Sequence, residues 1–249
     1  MNLAEAIRRK KSKRLAPIIA EVKRLIPRLA ERGRPTDWRD AGELARLYKE
    51  GGACGISLVA ERRHFGGQPE VDIPAILRSV DLPLLIKDFI LEEGEVDFYA
   101  RLVGEERGRI SLLVLAHRLG ERLVSLLDYI ARKGMQALVE TRGIQDLPLL
   151  ERLPKIPSLI GLNNKDIDNL ERGDDILQIN EELVQKYRKV IGNALLISES
   201  AHRSPEDVRF SLQAGADAIL AGTPFMLSPN PAAEVRKFVL ALGGKWSGL

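Results

Sequence analysis

The segment ALLISESAHRSPEDVRFSLQAGADAILAGTPF, residues 194–225, decides the fold because it holds one complete strand–helix–strand unit. Its two apolar runs, Ala194–Ser200 and Ala218–Phe225, have the length and the Leu and Ile content of strands buried on both faces, as parallel sheets require. Between them, Ser204–Glu206 combines an N-cap serine, a first-turn proline and an acidic first turn. A helix is therefore predicted to begin there and to end before Gly215.

The same alternation of apolar run and amphipathic helix recurs along the chain. Two further helices, Leu44–Gly52 and Leu123–Gly134, end in glycines suited to a left-handed backbone. The remaining strand-like runs are Ile18–Lys23, Cys54–Glu61, Leu82–Phe89, Arg109–His117, Gln136–Thr141 and Ser158–Asn164. Eight such units in 249 residues are the size of one α/β barrel, the (β/α)8 or TIM barrel. The sequence predicts a single domain over residues 1–249, with a short N-terminal arm or helix (1–16) and a barrel over about 17–242.

Charge and composition narrow the possible partners. The formal net charge is +3, from 38 basic and 35 acidic residues spread along the chain, which is too balanced for a nucleic-acid-binding protein. The one basic stretch, RRKKSKR at Arg8–Arg14, is better explained as a solvated helix face than as a nucleic-acid patch. We expect no nucleic-acid partner and, with no feature that favours assembly, a monomer.

Other classes of protein are disfavoured by what the sequence lacks. The single cysteine, Cys54, is expected to be a small core residue, and it fits a reducing compartment. No apolar run is long enough for a membrane span or a signal peptide, so a cytoplasmic location without membrane contact is expected. The three histidines lack metal-ligand spacing and no nucleotide-binding motif is present, so no metal or cofactor is expected.

Charged residues stand where the apolar runs end. Glu21, Lys23, Lys87, Glu140 and Glu199 each fall at the carboxyl end of a predicted strand. Glu21 and Lys23 have the same parity, so both should point into the barrel mouth. Glu61, His117, Asn163 and Thr223 end further runs. Burying a lysine or a carboxylate beside an apolar run costs free energy, and a barrel needs none of these charges for packing. Together they predict an active site.

The connections after several strands indicate where a ligand is held. Three long segments, residues 24–40, 60–70 and 165–175, should emerge at the same mouth, where long loops close over ligands. The loops after the seventh and eighth strands often bind phosphate in such barrels. Here Gly222 permits close approach of the backbone and the Thr223 hydroxyl can donate a hydrogen bond.

Taken in order, these strand-end motifs resemble the indole-3-glycerol-phosphate synthase family of tryptophan biosynthesis, from about Ile18 to Leu240. The matching segments are Ile18–Arg24 (IIAE-hydrophobic-KR), His64–Gly67 (YFGG-like), Lys87–Phe89 (KDF), Leu138–Glu140 (LVE), Gly161–Asp166 (GINNRD), Ser198–Ser200 (SES) and Gly222–Met226 (GTSLM-like). The resemblance implies closure of a ring without metal or cofactor. The substrate would be the anionic sugar phosphate 1-(2-carboxyphenylamino)-1-deoxyribulose 5-phosphate, and the products indole-3-glycerol phosphate, carbon dioxide and water.

The resemblance also implies roles for individual residues. Lys87 would be the general acid at the ketone oxygen and Glu140 would assist dehydration, with Glu21 and Asn163 positioning or sharing that work. Lys23 would contact the anionic substrate. Of the implied substrate contacts, Glu199 would bind the sugar hydroxyls, and Phe65 and Phe89 would hold the aromatic ring. Lys165 stands where the family has an arginine that contacts the substrate. The phosphate would be surrounded by Lys23, Ser200, Ala201, Gly222 and Thr223.

Several substrate-binding positions depart from the family pattern. A serine that contacts the substrate carboxylate is replaced by Ile26, and an arginine is replaced by Lys165, which cannot form the same bidentate contact. Ala201 replaces a glycine and Ala60 replaces a threonine. The family's long N-terminal extension with its lid helix is reduced to about the first sixteen residues. Two alternatives therefore stay open: an aldolase-like barrel enzyme with Lys87 as a Schiff-base amine, or a non-catalytic barrel that binds a phosphorylated ligand.

Overall fold

A computed structural model describes residues 1–31, 39–165, 168–169 and 176–243, with the backbone alone at Arg28. Within them, eight parallel strands close into a barrel in chain order, and the last strand pairs with the first. The strands are β1 Ile18–Val22, β2 Gly55–Val59, β3 Leu84–Lys87, β4 Ile110–Leu115, β5 Gln136–Thr141, β6 Leu159–Asn163, β7 Leu195–Glu199 and β8 Ala218–Ala221. The predicted (β/α)8 barrel is confirmed, and each strand lies within its predicted apolar run.

Helices follow the strands and cover the barrel. They are α1 Leu3–Ser12, α2 Pro27–Ala30, α3 Ala41–Gly51, α4 Pro69–Ser79, α5 Glu93–Val103, α6 Ala116–Leu119, α7 Leu123–Arg132, α8 Leu147–Glu151, α9 Glu181–Ile191, α10 Pro205–Gln213, α11 Thr223–Leu227 and α12 Pro231–Val239. The predicted start of α10 is confirmed, because the Ser204 side chain accepts a hydrogen bond from the backbone of Asp207. Gly52 and Gly134 adopt the expected left-handed backbone beyond α3 and α7, with φ of 95° and 77°.

Three predicted strand ends are wrong. Glu61 is predicted to end the second strand, but β2 stops at Val59 and Glu61 lies in the loop that follows. The other two residues lie in helical turns. His117 was expected to end the fourth strand, but β4 stops at Leu115 and His117 lies in α6. Thr223 was expected in the eighth strand, but β8 stops at Ala221 and Thr223 begins α11. Pro224 follows it and cannot donate to a strand ladder, which favours the helical turn. In both places the apolar run continues into a buried helical turn, which hydrophobic pattern alone cannot distinguish from a strand.

The apolar core has two layers. The larger lies between the strands and the outer helices, and the smaller fills the barrel interior with residues such as Ile19, Leu85 and Leu138. Helix α1 belongs to the inner layer, since its Leu3 and Ile7 are fully buried against it. Leu3 also packs against Gly55 at the start of β2. The N-terminal segment is therefore a helix that seals the barrel at the amino ends of the strands, opposite the mouth.

Some expectations extend beyond the described residues. Residues 32–38 of the predicted 24–40 loop lie outside the described part of the chain, as do residues 166–167 and 170–175 of the predicted 165–175 loop. The motif residue Asp166 is one of these undescribed residues. The single-domain assignment of residues 1–249 stays a prediction. No helix in the described ranges has both the length and the apolar character needed to cross a membrane.

Candidate active site

Lys87 stands at the centre of the barrel mouth, among three carboxylates. Its Nζ lies 3.0 Å from Glu199 Oε2 and 3.7 Å from both Glu21 Oε2 and Glu140 Oε2. These four side chains come from β3, β7, β1 and β5. All are buried, Lys87 being 8% exposed and Glu199 fully enclosed. Opposite charges at such distances in a site shielded from water interact strongly, so the cluster is held together electrostatically.

Glu21 links this cluster to a second lysine. Lys23 Nζ lies 3.1 Å from Glu21 Oε1, and both side chains are buried. Lys23 follows β1 directly, and its shared parity with Glu21 brings both inside the mouth, as the sequence predicts. On the neighbouring strand, Ser57 is paired in register with Glu21, and its Oγ lies 3.4 Å from Glu21 Oε2. Glu21 thus contacts both lysines.

Beside the cluster is a narrow slot with aromatic walls. A cavity there is lined by Val59, Glu61, Phe65, Lys87, Asp88, Phe89, Leu113, Leu115 and Glu140. Phe65 and Phe89, predicted to hold a ring, therefore share one cavity with Lys87 and Glu140. Lys23 Nζ also lies 5.4 Å from the Phe65 ring centroid. An apolar slot that ends in a buried cation and a carboxylate suits a flat aromatic group with a reacting polar end.

Two carboxylates position the walls of this slot. Glu61 accepts hydrogen bonds from the backbone N–H groups of Arg63, His64 and Phe65, at 2.7 to 3.1 Å, and so fixes the loop that carries Phe65. Asp88 accepts the N–H of Phe89 at 2.8 Å and the hydroxyl of Tyr99. Burial raises the pKa of Asp88 above its usual range. Sequence reasoning placed Glu61 at a strand end and gave Asp88 no role, because such local hydrogen bonds have no periodic signal.

The amides after β6 lie beside the carboxylate cluster. Asn163 is paired in register with Glu199, and its Oδ1 accepts the backbone N–H of Lys165 at 3.0 Å. Asn163 Nδ2 and Glu199 Oε1 are buried without a hydrogen-bond partner in the described part of the chain. Buried polar atoms of this kind are uncommon unless a ligand or water satisfies them. Asn164 instead holds the neighbouring loop, since its Nδ2 donates to Ser198 Oγ and Glu199 O at 3.0 and 2.8 Å.

The two expected phosphate loops have close-fitting backbones. Ser200 and Ala201 both adopt left-handed conformations, with φ of 65° and 63°, which cost an L-residue free energy. Gly222 packs against Glu21, because a Cβ there would lie 2.9 Å from Glu21 Cβ. Thr223 begins α11 directly after it. The loop after β8 is thereby anchored to the charge cluster itself.

The departure at position 26 is accommodated by packing. Ile26 forms a small apolar cluster with Leu29 and Met226, which joins α2 to α11, the helices after the neighbouring strands β1 and β8. Two residues earlier, Arg24 is buried and paired with Asp72 in the first turn of α4. The chain after β1 is therefore held against two other loops.

Sequence reasoning missed a group of polar contacts at the outer edge of the slot. The Arg118 guanidinium lies 4.7 Å from the Phe89 ring centroid and donates to Asp168 Oδ1 at 2.8 Å. His117 Nε2 lies 3.3 Å from the same carboxylate. The hydrogen bond from Arg118 is the main cause that lowers the pKa of Asp168. These residues are far apart in the chain, so no local pattern could pair them.

Two other titratable groups are buried away from this site. Burial raises the pKa of Cys54 to about 12, so its thiol is neutral, as expected for a core residue. Burial lowers the pKa of His202 to about 4, although Asp207 acts in the opposite direction. His202 Nε2 lies 2.9 Å from Ser211 Oγ, so the histidine joins the loop after β7 to α10.

Comparison with known proteins gives a consistent result. The family model described as indole-3-glycerol phosphate synthase matches residues 1–238. The chain belongs to this family. Proteins named indole-3-glycerol phosphate synthase are similar to it: that of Pyrococcus furiosus is 34% identical, covering 96% of this chain and 97% of its own. The protein of Methanopyrus kandleri is 36% identical, over 90% of this chain and 83% of its own length. The protein of Deinococcus radiodurans is 34% identical, over 79% of this chain and 69% of its own length.

Proposed function

We propose that the Lys87 cluster catalyses the reaction of its family, the conversion of 1-(2-carboxyphenylamino)-1-deoxyribulose 5-phosphate to indole-3-glycerol phosphate, carbon dioxide and water. Family membership makes the chain a carbon–carbon lyase of tryptophan biosynthesis that acts on a phosphorylated substrate. The observation that carries the assignment of residues is Lys87 Nζ, held 3.0 to 3.7 Å from three buried carboxylates at the end of an aromatic slot.

The first step requires an electrophilic ketone next to the aromatic ring. With the ring between Phe65 and Phe89, the sugar chain extends toward Lys87 and Glu140 at the inner end of the cavity. A proton from Lys87 to the ketone oxygen lets the ring carbon that bears the carboxylate attack the carbonyl carbon. The three carboxylates compensate the charge of the buried ammonium before the transfer.

The later steps release carbon dioxide and water. Loss of the carboxylate as carbon dioxide leaves its bonding electrons in the ring, and the new hydroxyl then leaves as water after protonation. Elimination also needs a base for the departing proton, and Glu140 lies within 3.7 Å of Lys87 to serve as that base. Asn163 and Glu199 each offer a buried atom without a partner in the described residues, and these atoms suit the sugar hydroxyls.

The anionic groups of the substrate require cationic or N–H partners. Lys23, next to Phe65, is placed to meet an anionic group near the aromatic ring. Gly222 and Thr223 present backbone N–H groups at the start of α11, and Ser200 and Ala201 lie on the adjacent loop. Lys165 is the second residue after β6. These residues are the proposed contacts for the phosphate and the sugar.

Neither alternative function has a specific observation in its favour. A Schiff-base mechanism needs Lys87 as an uncharged amine, but the three carboxylates around it favour its charged form. A non-catalytic binding barrel would have no need for a buried acid and base at the end of its ligand slot. We further propose a monomer in the cytoplasm. Light scattering on the eluting protein tests the oligomeric state, and a dimeric mass would contradict it.

The test is a fluorescence assay of indole formation from the carboxyphenylamino sugar phosphate. We expect Lys87→Met and Glu140→Gln to lower kcat by about 10² to 10⁴, the usual contribution of a general acid or base. The matched control is Lys186→Met, which removes an exposed lysine paired with Glu182 on α9. Turnover at the control's level in either variant, with an unchanged circular dichroism spectrum, would remove that residue from the mechanism.

A further inference from the structure

The two aromatic walls of the slot are held in different ways. Phe65 is buried, with 2% of its surface exposed, and Glu61 fixes the backbone of its loop by accepting three N–H groups. Phe89 is partly exposed at the edge of the inner apolar layer, and Asp88 accepts its backbone N–H at 2.8 Å. A backbone hydrogen bond leaves the side-chain dihedral angles free to change. The position of the Phe89 ring therefore depends on what contacts the ring itself.

Arg118 contacts this ring from outside the slot. Its guanidinium carbon lies 4.7 Å from the Phe89 ring centroid, within the range of cation–π attraction. Arg118 lies in α6, directly after β4, and it is not among the described residues that line the cavity. It can therefore support the ring without occupying the space of a ligand. A planar guanidinium can stack on an aromatic ring and still donate its N–H groups elsewhere.

Asp168 holds the guanidinium in this position. Its Oδ1 accepts hydrogen bonds from Arg118 Nε at 3.2 Å and from Nη2 at 2.8 Å. The same carboxylate lies 3.3 Å from His117 Nε2 and 3.6 Å from Arg142 Nη1. The hydrogen bond from Arg118 is the main cause that lowers the pKa of Asp168, so the carboxylate is charged at neutral pH. Asp168 thus joins the loop after β6 to residues that follow β4 and β5.

We propose that Arg118, held by Asp168, is a positioning residue that fixes Phe89 as a wall of the slot and so sets the affinity for the aromatic group of the substrate. The carboxyphenyl group is that of the proposed substrate, so this role rests on the proposed function. The family resemblance assigns the ring to Phe65 and Phe89 but gives no role to Arg118 or Asp168. Because Arg118 acts through Phe89, its loss should weaken ring binding more than it slows the chemical steps.

The experiment compares two ligands that differ only in the aromatic group. The first is the substrate with its ketone reduced to an alcohol, which cannot close the ring. The second is ribitol 5-phosphate, which has the same sugar chain without the carboxyphenylamino group. Arg118→Met should raise the Kd of the reduced substrate about fivefold, the usual size of a cation–π contact, and leave the Kd of ribitol 5-phosphate unchanged. Isothermal titration calorimetry measures both. In the indole assay, KM should rise by a similar factor, whereas kcat should fall by less.

Further variants show whether the effect passes through Phe89. In a Phe89→Leu background, Arg118→Met should cause no further rise in Kd, because the ring that it supports is absent. Arg118→Lys keeps a cation near the ring and should retain most of the affinity. Asp168→Asn should cause part of the loss, since it weakens the hold on the guanidinium. The matched control is Arg122→Met, which removes an exposed arginine of the same segment and should bind as the wild type does.

The outcomes separate this role from the catalytic assignment. Equal Kd values of the reduced substrate for the wild type and Arg118→Met would overturn the role of Arg118. Equal weakening of ribitol 5-phosphate would overturn it too, as would an effect that persists in the Phe89→Leu background. A wild type that binds the reduced substrate no better than ribitol 5-phosphate would overturn both proposals. Tight binding of the reduced substrate without indole formation from the true substrate would contradict the catalytic assignment alone.

Discussion

The two ends of this barrel bury different kinds of side chain, charged at one end and apolar at the other. At the mouth, two lysines and three glutamates are buried together beside a slot. At the underside, Leu3 and Ile7 of α1 fill the interior with apolar side chains. Buried charges contribute little net stability, whereas apolar burial is its main source. In barrels of this kind the active-site residues generally lie at the carboxyl ends of the strands, and residues at the amino ends mainly stabilise the fold. The difference between the two ends of this protein follows that pattern.

The strongest test of this separation is Leu3→Ala. Truncating this fully buried side chain should lower the free energy of unfolding by about 2 to 5 kcal/mol, because it leaves a cavity. The turnover of the folded enzyme should not change, since α1 lies at the far end from Lys87. Urea unfolding and the indole assay measure the two quantities. The control is Arg8→Ala on the exposed side of α1, and a comparable loss of kcat with Leu3→Ala would contradict the separation.

Gly161→Ala tests the same separation with a substitution at the mouth. An added Cβ would lie 2.0 Å from Glu199 Oε1, so Glu199 must shift from its present position beside Lys87. Displacement of a catalytic group by about 1 Å typically costs about 10² in rate, and we expect kcat/KM to fall by that amount. Gly94→Ala is the control, since nothing lies within 4 Å of its added Cβ. Equal activity of both variants would show that the position of Glu199 has little effect on the reaction.

The lowered pKa of His202 predicts how the free energy of unfolding depends on pH. Its pKa in the folded state, about 4, lies below the ordinary value of 6.5. Only the unfolded chain therefore takes up a proton between these values, and stability falls as the pH drops from 6.5 toward 4. Between pH 7 and pH 5 we expect a loss of about 2 kcal/mol. Urea unfolding at both values should show a smaller loss for His202→Gln, and the same loss in the variant would exclude His202 as its cause.

Ala201→Gly gives the smallest expected effect. The alanine has a φ of 63°, a left-handed conformation that glycine adopts more readily. Stability should rise by up to about 1 kcal/mol, after subtraction of the entropy that glycine adds to the unfolded chain. Thermal unfolding measures this gain. The control is Ala214→Gly at a right-handed φ of −64°, which should destabilise; a loss in both variants would mean that Ala201 is not strained.

Much of the barrel and of its inner ring could be predicted from the sequence. Short apolar runs that end in Lys87, Glu140 and Glu199 predict both strands and pocket, because the carboxyl ends of parallel strands meet at one mouth. Period-two alternation also predicts that Glu21 and Lys23 face inward. These features follow from rules that act over a few residues.

The rest depends on contacts that have no local signal. The left-handed backbone at Ser200 and Ala201 is imposed by the surrounding loop, since neither residue type favours it. The convergence of His117 and Arg118 on Asp168 joins loops some fifty residues apart. The apolar stripe of α1 predicts a packed helix, but it does not tell which end of the barrel that helix covers.

The spread of the charge cluster along the chain has a consequence for assembly. Lys23 and Lys87 belong to the first four strands, whereas Glu140 and Glu199 belong to the last four. Neither half-barrel alone holds Lys87 together with all three of its carboxylates, since Glu21 lies in the first half and Glu140 and Glu199 lie in the second. A half-formed or mispaired barrel leaves charges at the interface uncompensated, and such charges are costly to bury. The charge cluster therefore also favours correct joining of the two halves, and it is complete only when they have met.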